Sequence, residues 1–304
     1  MDDFIAQMPK AEIHLHLEGS VEPETLHELD PFTTVEEFRA HYQYADFDAF
    51  LKAFAMVSKR LRTPEDYALI TRRLVDRLAA QNVQHAEIIV SAGVVLWKGQ
   101  EFAPIFDAIS SAAAGSPVEV RWILDAVRQF GAEPAMEVAK LAAERVDRGV
   151  VAFGIGGSEL RGPAEWFQDV FAFARDAGLH LTAHAGEGTD AKSIWGALEL
   201  GAERIGHGIA AAQDANLMHH LRKNDIPLEI CITSNLVTGV VKQIECHPVR
   251  QLFDAGVPIT LNTDDPAMFG CTLVGEYRLA AEKFGFSEAE LRQIAENGFR
   301  YAWA

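Results

Sequence analysis

The chain alternates short β-rich apolar runs with longer amphipathic stretches, and it keeps that rhythm almost from end to end. Eight runs read as strands: 12–17, 84–91, 118–126, 149–155, 180–185, 204–208, 227–232 and 257–263. Helical spacing fills the gaps, most clearly over 64–81, 134–147, 163–177, 191–200, 214–223 and 247–255. Several of these open on Pro or on an Asp or Thr cap and close at Gly178, Gly201, Asn224 or Gly256. Alternation of this kind builds a parallel sheet with helical crossovers. Eight such units in 304 residues predict a (β/α)8 TIM-type barrel, with residues 1–304 as a single domain. A doubly wound open sheet has the same alternation, and strand counting alone does not separate the two. No internal repeat, low-complexity tract or Gly/Ser-rich linker marks a boundary. Segment 22–56 breaks the rhythm and reads as a helical and loop-like insertion after the first strand, placed to form part of a cover over a pocket.

Composition narrows the function classes. With 44 acidic against 27 basic residues the formal charge is −17, the wrong sign for a nucleic-acid binder, which needs clustered Lys and Arg. The expected partner is a small molecule. Cys231, Cys246 and Cys271 include no C-x-x-C pair, so neither a disulfide framework nor a thiolate zinc site is expected, and a reducing compartment fits. The opening MDDFIAQMPK is acidic and lacks an apolar core, and no run approaches the roughly 20 apolar residues of a membrane span. The expectation is a cytoplasmic protein without a membrane partner. The sequence assigns no oligomeric state.

Candidate chemistry sits at the strand tips. In the first strand Ile13, Leu15 and Leu17 alternate with His14 and His16, which turns both imidazoles to one face. The fifth strand ends in His184-Ala185-Gly186-Glu187, the sixth in Gly206-His207-Gly208 and the eighth in Asn262-Thr263-Asp264-Asp265-Pro266. Each has a structural reading of its own: core histidines, a tight turn, a cap before Pro266. Together they put titratable groups at four strand tips above apolar strand middles, and barrel active sites lie at those ends. His14, His16, His184 and Asp264 make a set of three imidazoles and a carboxylate that leaves a position open for water, as catalytic zinc requires. The tip of the fourth strand, 153–157, holds no Lys that a second metal would share, so one Zn2+ per chain is expected. Zinc makes water acidic enough for hydrolysis near neutral pH, and Glu187 and His207 are placed to handle the protons. Gly154, Ile155, Gly156 and Gly157 do not form G-x-G-x-x-G and read instead as a tip whose backbone N–H groups approach a flat ligand, or as a plain turn. Trp97, Phe130, Trp166 and Trp195 read as packing between barrel and helices.

These residues resemble the adenosine deaminase family of the amidohydrolase superfamily. The likeness runs nearly end to end through Pro9-Lys10-Ala11-Glu12-Ile13-His14-Leu15-His16-Leu17-Glu18-Gly19, His184-Ala185-Gly186-Glu187, Arg204-Ile205-Gly206-His207-Gly208, Thr233-Ser234-Asn235 and Asn262-Thr263-Asp264-Asp265-Pro266. It implies the same four zinc ligands. It also implies that Glu187 protonates N1 of a purine while hydroxide adds at C6, that His207 orients and deprotonates the water, that Asp265 bonds N7 and that the Gly157 N–H meets N3. Adding hydroxide costs the ring its resonance, and protonation at N1 offsets that cost. The implied activity is hydrolysis of a cyclic amidine C–N bond, giving the 6-oxo purine and ammonia.

Departures from the family pattern bear on the substrate. Adenosine-specific members carry Asp two residues after the second His, where it meets the ribose, and this chain has Glu18. They read D-L-A-G-D at the fourth strand, against Gly154-Ile155-Gly156-Gly157-Ser158 here, and the cover segment is shorter than usual. Adenine deaminases carry Asp-His-Gly on the sixth strand, against Gly206-His207-Gly208. The tip from Gly156 to Glu159, Thr233-Ser234-Asn235 and Asp265-Pro266-Ala267-Met268-Phe269-Gly270 are more similar to the branch that deaminates 6-amino-6-deoxyfutalosine. That purine nucleoside of menaquinone synthesis bears a bulky 5′ aromatic extension, for which a shorter cover leaves room. The expected order is aminodeoxyfutalosine, adenosine, adenine, with a metal-dependent hydrolase of another C–N or ester bond as the alternative and a non-catalytic ligand-binding barrel third.

Overall fold

The strand rhythm becomes eight parallel strands in sequential order in a computed structural model that describes residues 1–303. They are β1 (Lys10–His16), β2 (Val83–Val90), β3 (Glu119–Val127), β4 (Val150–Gly156), β5 (His180–Ala185), β6 (Arg204–His207), β7 (Leu228–Ile230) and β8 (Ile259–Leu261). The circle closes where Leu15 bridges Asp264: the His16 N–H donates to Asp264 O at 2.7 Å and the Asp264 N–H to His14 O at 3.1 Å. Sequential order with closure is the barrel and excludes the doubly wound sheet, whose strand order reverses.

The last two strands are shorter than the apolar runs predicted. Ile232 already opens a helix, Ile232–Val237, and Asn262, whose N–H still donates to Ile230 O at 2.9 Å, accepts the Ile13 N–H on its side-chain oxygen at 3.0 Å. Around the barrel, Pro64–Ala79 starts at a Thr63/Asp66 capping box with Pro at its first position and buries Tyr67, Ile70, Leu74 and Leu78. The predicted helix 134–147 ends at Ala143, and 163–177 opens with a tight 3₁₀ turn, Ala164–Phe167, before Gln168–Asp176. Ala92–Trp97, Phe102–Ala113, Leu273–Phe284 and Glu288–Arg300 are further helices, less marked in the sequence pattern. Segment 22–56 is helical: Pro23–Leu29, Val35–His41 and the start of Phe47–Ser58, whose Phe50 and Phe54 overhang the barrel mouth.

The strand middles are not uniformly apolar, contrary to the expectation. Arg204, at the start of β6, is 1% exposed and pairs with Glu87 Oε2 at 2.5 Å. Its Nε lies 2.7 Å from Glu229 Oε1, in a geometry too bent for a hydrogen bond, so the contact is one of charge. The Trp303 ring lies 3.3 Å from the guanidinium carbon and the Trp303 N–H donates to Glu87 Oε1 at 2.5 Å, sealing the amino end of the barrel. Buried charges persist only when paired in this way. Among the described residues no helix is long and apolar enough to cross a membrane.

Candidate active site

At the carboxyl end of the barrel, nitrogens of His14, His16 and His184 and an oxygen of Asp264 lie within 4.8 Å of one another. β1 delivers the first two because its alternation turns them inward while Ile13 and Leu15 pack outward, fully buried. Their partners fix which atoms face the cluster. His14 Nδ1–H donates to Glu229 Oε2 at 2.6 Å and His184 Nδ1–H to Ile155 O at 3.2 Å, so each ring presents its Nε2 lone pair. Ser234 Oγ–H donates to Asp264 Oδ2 at 2.7 Å, leaving Oδ1 at 3.5 Å from His14 Nε2 and 3.4 Å from His16 Nε2. His16 Nε2 and His184 Nε2 stand 3.2 Å apart, and His14 Nε2 is buried without a protein partner. Three imidazole nitrogens and a carboxylate oxygen converging on one point, with His14 Nε2 left without a protein partner, fit a divalent cation. A second grouping joins His14 and Asp264 to His207 and Cys231. Burial, then the Asp264 carboxylate, pushes the Cys231 thiol well above its ordinary range, and a neutral thiol is a poor ligand.

His207 is held by a chain of bonds whose direction is determined. The Val249 N–H donates to His247 Nδ1 at 3.2 Å, so His247 carries its proton on Nε2 and donates to Asn235 Oδ1 at 3.1 Å. The Asn235 amide then donates to His207 Nδ1 at 3.2 Å. Neutral His207 therefore shows an Nε2–H to the site, 3.8 Å from both Glu187 Oε2 and Asp264 Oδ2. Burial holds its pKa down to about 3, which keeps it neutral. Both His207 (φ 59°) and Asp264 (φ 63°) sit in the left-handed region, a strain of about 1–3 kcal/mol each that aims their side chains at one another.

Glu187 is carried on the turn after β5, and burial, then the Asp264 and Glu159 charges, pushes its carboxyl well above the ordinary range. Glu159, from the tip of β4, clamps that turn. It accepts from the N–H groups of Gly186 (2.7 Å), Glu187 (3.1 Å) and Gly188 (3.2 Å), from Thr189 Oγ1 (2.7 Å) and from Ser193 Oγ. Asp265 is likewise pushed well up, by burial first and by Asp264 second, and Gly19 makes room for it: a Cβ there falls 1.7 Å from Asp265 Oδ1.

Of the residues expected from the sequence, His16, Gly157, His184, Glu187, His207, Asp264 and Asp265 line one cavity of about 240 Å³, and His14 lies beneath it. Glu18 does not line it. Its carboxylate turns onto the Ser91 N–H, 3.2 Å and 3.3 Å from its two oxygens, and burial raises its pKa to about 7. Trp97 and Phe130, read from the sequence as packing, instead stack with 5.9 Å between ring centres on the cavity wall, with Phe47, Phe50 and Phe54 nearby. Asp125 and Gln129 also line the cavity, and the sequence offered a signal only for the first, a lone acid inside the apolar run Trp122–Val127. A larger hollow of about 890 Å³ toward β4–β7 shares Phe47, Gly157 and Glu187 with the cavity but holds none of the His/Asp cluster, so the chemistry belongs to the smaller one.

A closed parallel barrel with three imidazoles and a carboxylate gathered at its carboxyl end is the framework of a metal-dependent hydrolase. The adenosine deaminase family model matches residues 9–304. An aminodeoxyfutalosine deaminase of Streptomyces coelicolor is 39% identical over 97% of this chain and 80% of its own length. An adenine deaminase of Rhizobium leguminosarum bv. trifolii is 37% identical, with 97% and 95% covered. An amidohydrolase from Burkholderia ambifaria, solved with bound Zn, superposes with a TM-score of 0.91 at 26% identity, covering 100% of this chain and 88% of that one. The chain belongs to the adenosine deaminase family. It is a deaminase, a hydrolase of amidine C–N bonds.

Proposed function

We propose that the protein is a zinc-dependent deaminase of 6-aminopurine nucleosides, with 6-amino-6-deoxyfutalosine ahead of adenosine and adenine third. One Zn2+ per chain is held by His14, His16, His184 and Asp264. The observation that carries this reading is a single cavity with two ends, a floor of titratable groups and a wall built by Phe47, Phe50, Leu51, Phe54, Trp97 and Phe130. A 6-aminopurine suits the floor, and an aromatic 5′ extension suits the wall. Among the described residues no Lys or Arg lines the cavity, which disfavours a phosphate in that place, and free adenine leaves the apolar end unfilled. The aminodeoxyfutalosine deaminase relative supports the first place in that order.

Zinc in this site supplies the Lewis acidity that makes hydroxide available near neutral pH. Glu187, kept protonated by burial and by Asp264, gives its proton to N1 as C6 becomes tetrahedral. Asp265, protonated for the same reasons, donates to N7, which accepts only from a donor. The Gly157 N–H holds N3. His207, whose proton is on Nε2, donates to orient the attacking oxygen and does not deprotonate it as the resemblance implied; Glu187, left as a carboxylate once its proton is on N1, takes a proton from that oxygen and hands it to the leaving amine, then takes the second to regain its own. Both protons of the water end in the products, one on ammonia and one on ring N1.

A kinetic comparison of the three compounds on one enzyme sample tests the order. The expected result is the highest kcat/KM on aminodeoxyfutalosine; a large preference for adenosine or adenine overturns it.

A further inference from the structure

Asp125, on β3, is 5% exposed and lines the cavity, yet no hydrogen bond or ion pair ties its carboxylate to any described residue. A buried acid without a protein partner is costly unless a ligand completes it. Its place is specifically cleared. Gly154 is its ladder partner on β4, and a Cβ there or on Gly156 falls 3.0 Å and 2.9 Å from the two carboxylate oxygens.

Resting on the deaminase reading, the order of strands says which part of a substrate meets Asp125. Glu187 at N1 follows β5, Gly157 at N3 follows β4 and Asp265 at N7 follows β8. Position N9 lies between N3 and N7, so its substituent leaves over the remaining arc, β1 to β3. On that arc Glu18 is turned onto Ser91 and His16 belongs to the His/Asp cluster. Among the described residues Asp125 is the only carboxylate that faces the cavity there, and the apolar wall rises beyond it.

We infer that Asp125 binds the sugar: its carboxyl group hydrogen-bonds ribose hydroxyls and sets the preference for a ribonucleoside over a deoxynucleoside or a free base. It takes over the ribose contact from Glu18. Ser91, also on this arc, holds the Glu18 carboxylate out of the way through its N–H.

The test compares adenosine, 2′-deoxyadenosine, 3′-deoxyadenosine and adenine on the wild type, Asp125→Ala and Asp125→Asn. Turnover is followed by ammonia release, binding by calorimetry, and zinc content is measured in each sample. A deoxy compound leaves the buried carboxyl group unpaired, which costs about ten- to a hundredfold, so the wild type favours adenosine over at least one deoxy compound by that factor. Asp125→Ala brings that ratio to about threefold or less and Asp125→Asn leaves it intermediate, a change of ratio that a merely structural role does not produce. A wild type that binds these compounds without hydroxyl preference, or variants that keep the wild-type ratio, overturns the sugar contact alone. A wild type that neither binds nor turns over any of the four overturns the deaminase reading and this inference with it.

Discussion

Removing Glu159 tests how the turn that carries Glu187 is held. The carboxylate satisfies three consecutive N–H groups and two hydroxyls, and the amides of Gly186 and Glu187 are buried. Hydrogen bonds to a charged acceptor are worth about 1.5–3 kcal/mol each, so orphaning two buried amides costs about 3–6 kcal/mol before water restores part of it. The turn relaxes instead of paying that in full, and a shift of about 1 Å in a reacting group costs about a hundredfold in rate. Glu159→Ala is therefore expected to lower kcat about a hundredfold, with Tm reduced by several degrees and zinc content unchanged, because no cluster atom touches Glu159. Glu159→Gln keeps one acceptor and is expected to fall between. Steady-state kinetics, thermal melting and metal analysis on the same samples decide it. A Glu159→Ala enzyme with kcat within threefold of wild type and an unchanged Tm refutes the clamp.

Three further outcomes follow from the geometry. Glu229→Ala removes the acceptor of His14 Nδ1–H and one counter-charge of Arg204, so zinc affinity measured by competition with a chelator should fall about 10–100-fold and stability by about 3–5 kcal/mol. With Glu187 as the proposed acid and its pKa raised, activity is expected to be lost as pH rises through that pKa; a kcat/KM profile flat into the alkaline range contradicts the assignment. Asp265→Asn still offers an N–H to N7 and should retain far more activity than Asp265→Ala, with kcat/KM as the readout.

The barrel and its mouth were legible because both rest on short-range patterns. Period-two alternation put His14 and His16 on one face, and their ligand atoms lie within 4.8 Å of those of His184 and Asp264, while His207 groups with His14, Asp264 and Cys231. What the chain hid depends on contacts between distant segments. Glu18 follows the family position for a sugar contact, but its rotation onto Ser91 is decided 73 residues away. The Arg204, Glu87, Glu229 and Trp303 group joins β6, β2 and β7 to the segment after the last helix, so no window of the sequence announces that strand middles hold charge. Trp97 and Phe130 sit just beyond their strands, where aromatic residues serve packing and pockets equally well, and only the overhang of Phe47–Ser58 turns them into a cavity wall.

The central claim is that one metal at His14, His16, His184 and Asp264 and one acid at Glu187 together deaminate a 6-aminopurine. The most direct measurement is zinc per chain by elemental analysis, beside ammonia release from aminodeoxyfutalosine, in wild type, His14→Ala, Asp264→Ala and Glu187→Gln. The account predicts about one zinc and activity in wild type, little of either in His14→Ala and Asp264→Ala, and full zinc without activity in Glu187→Gln. Equal zinc in all four, or an active Glu187→Gln enzyme, contradicts it.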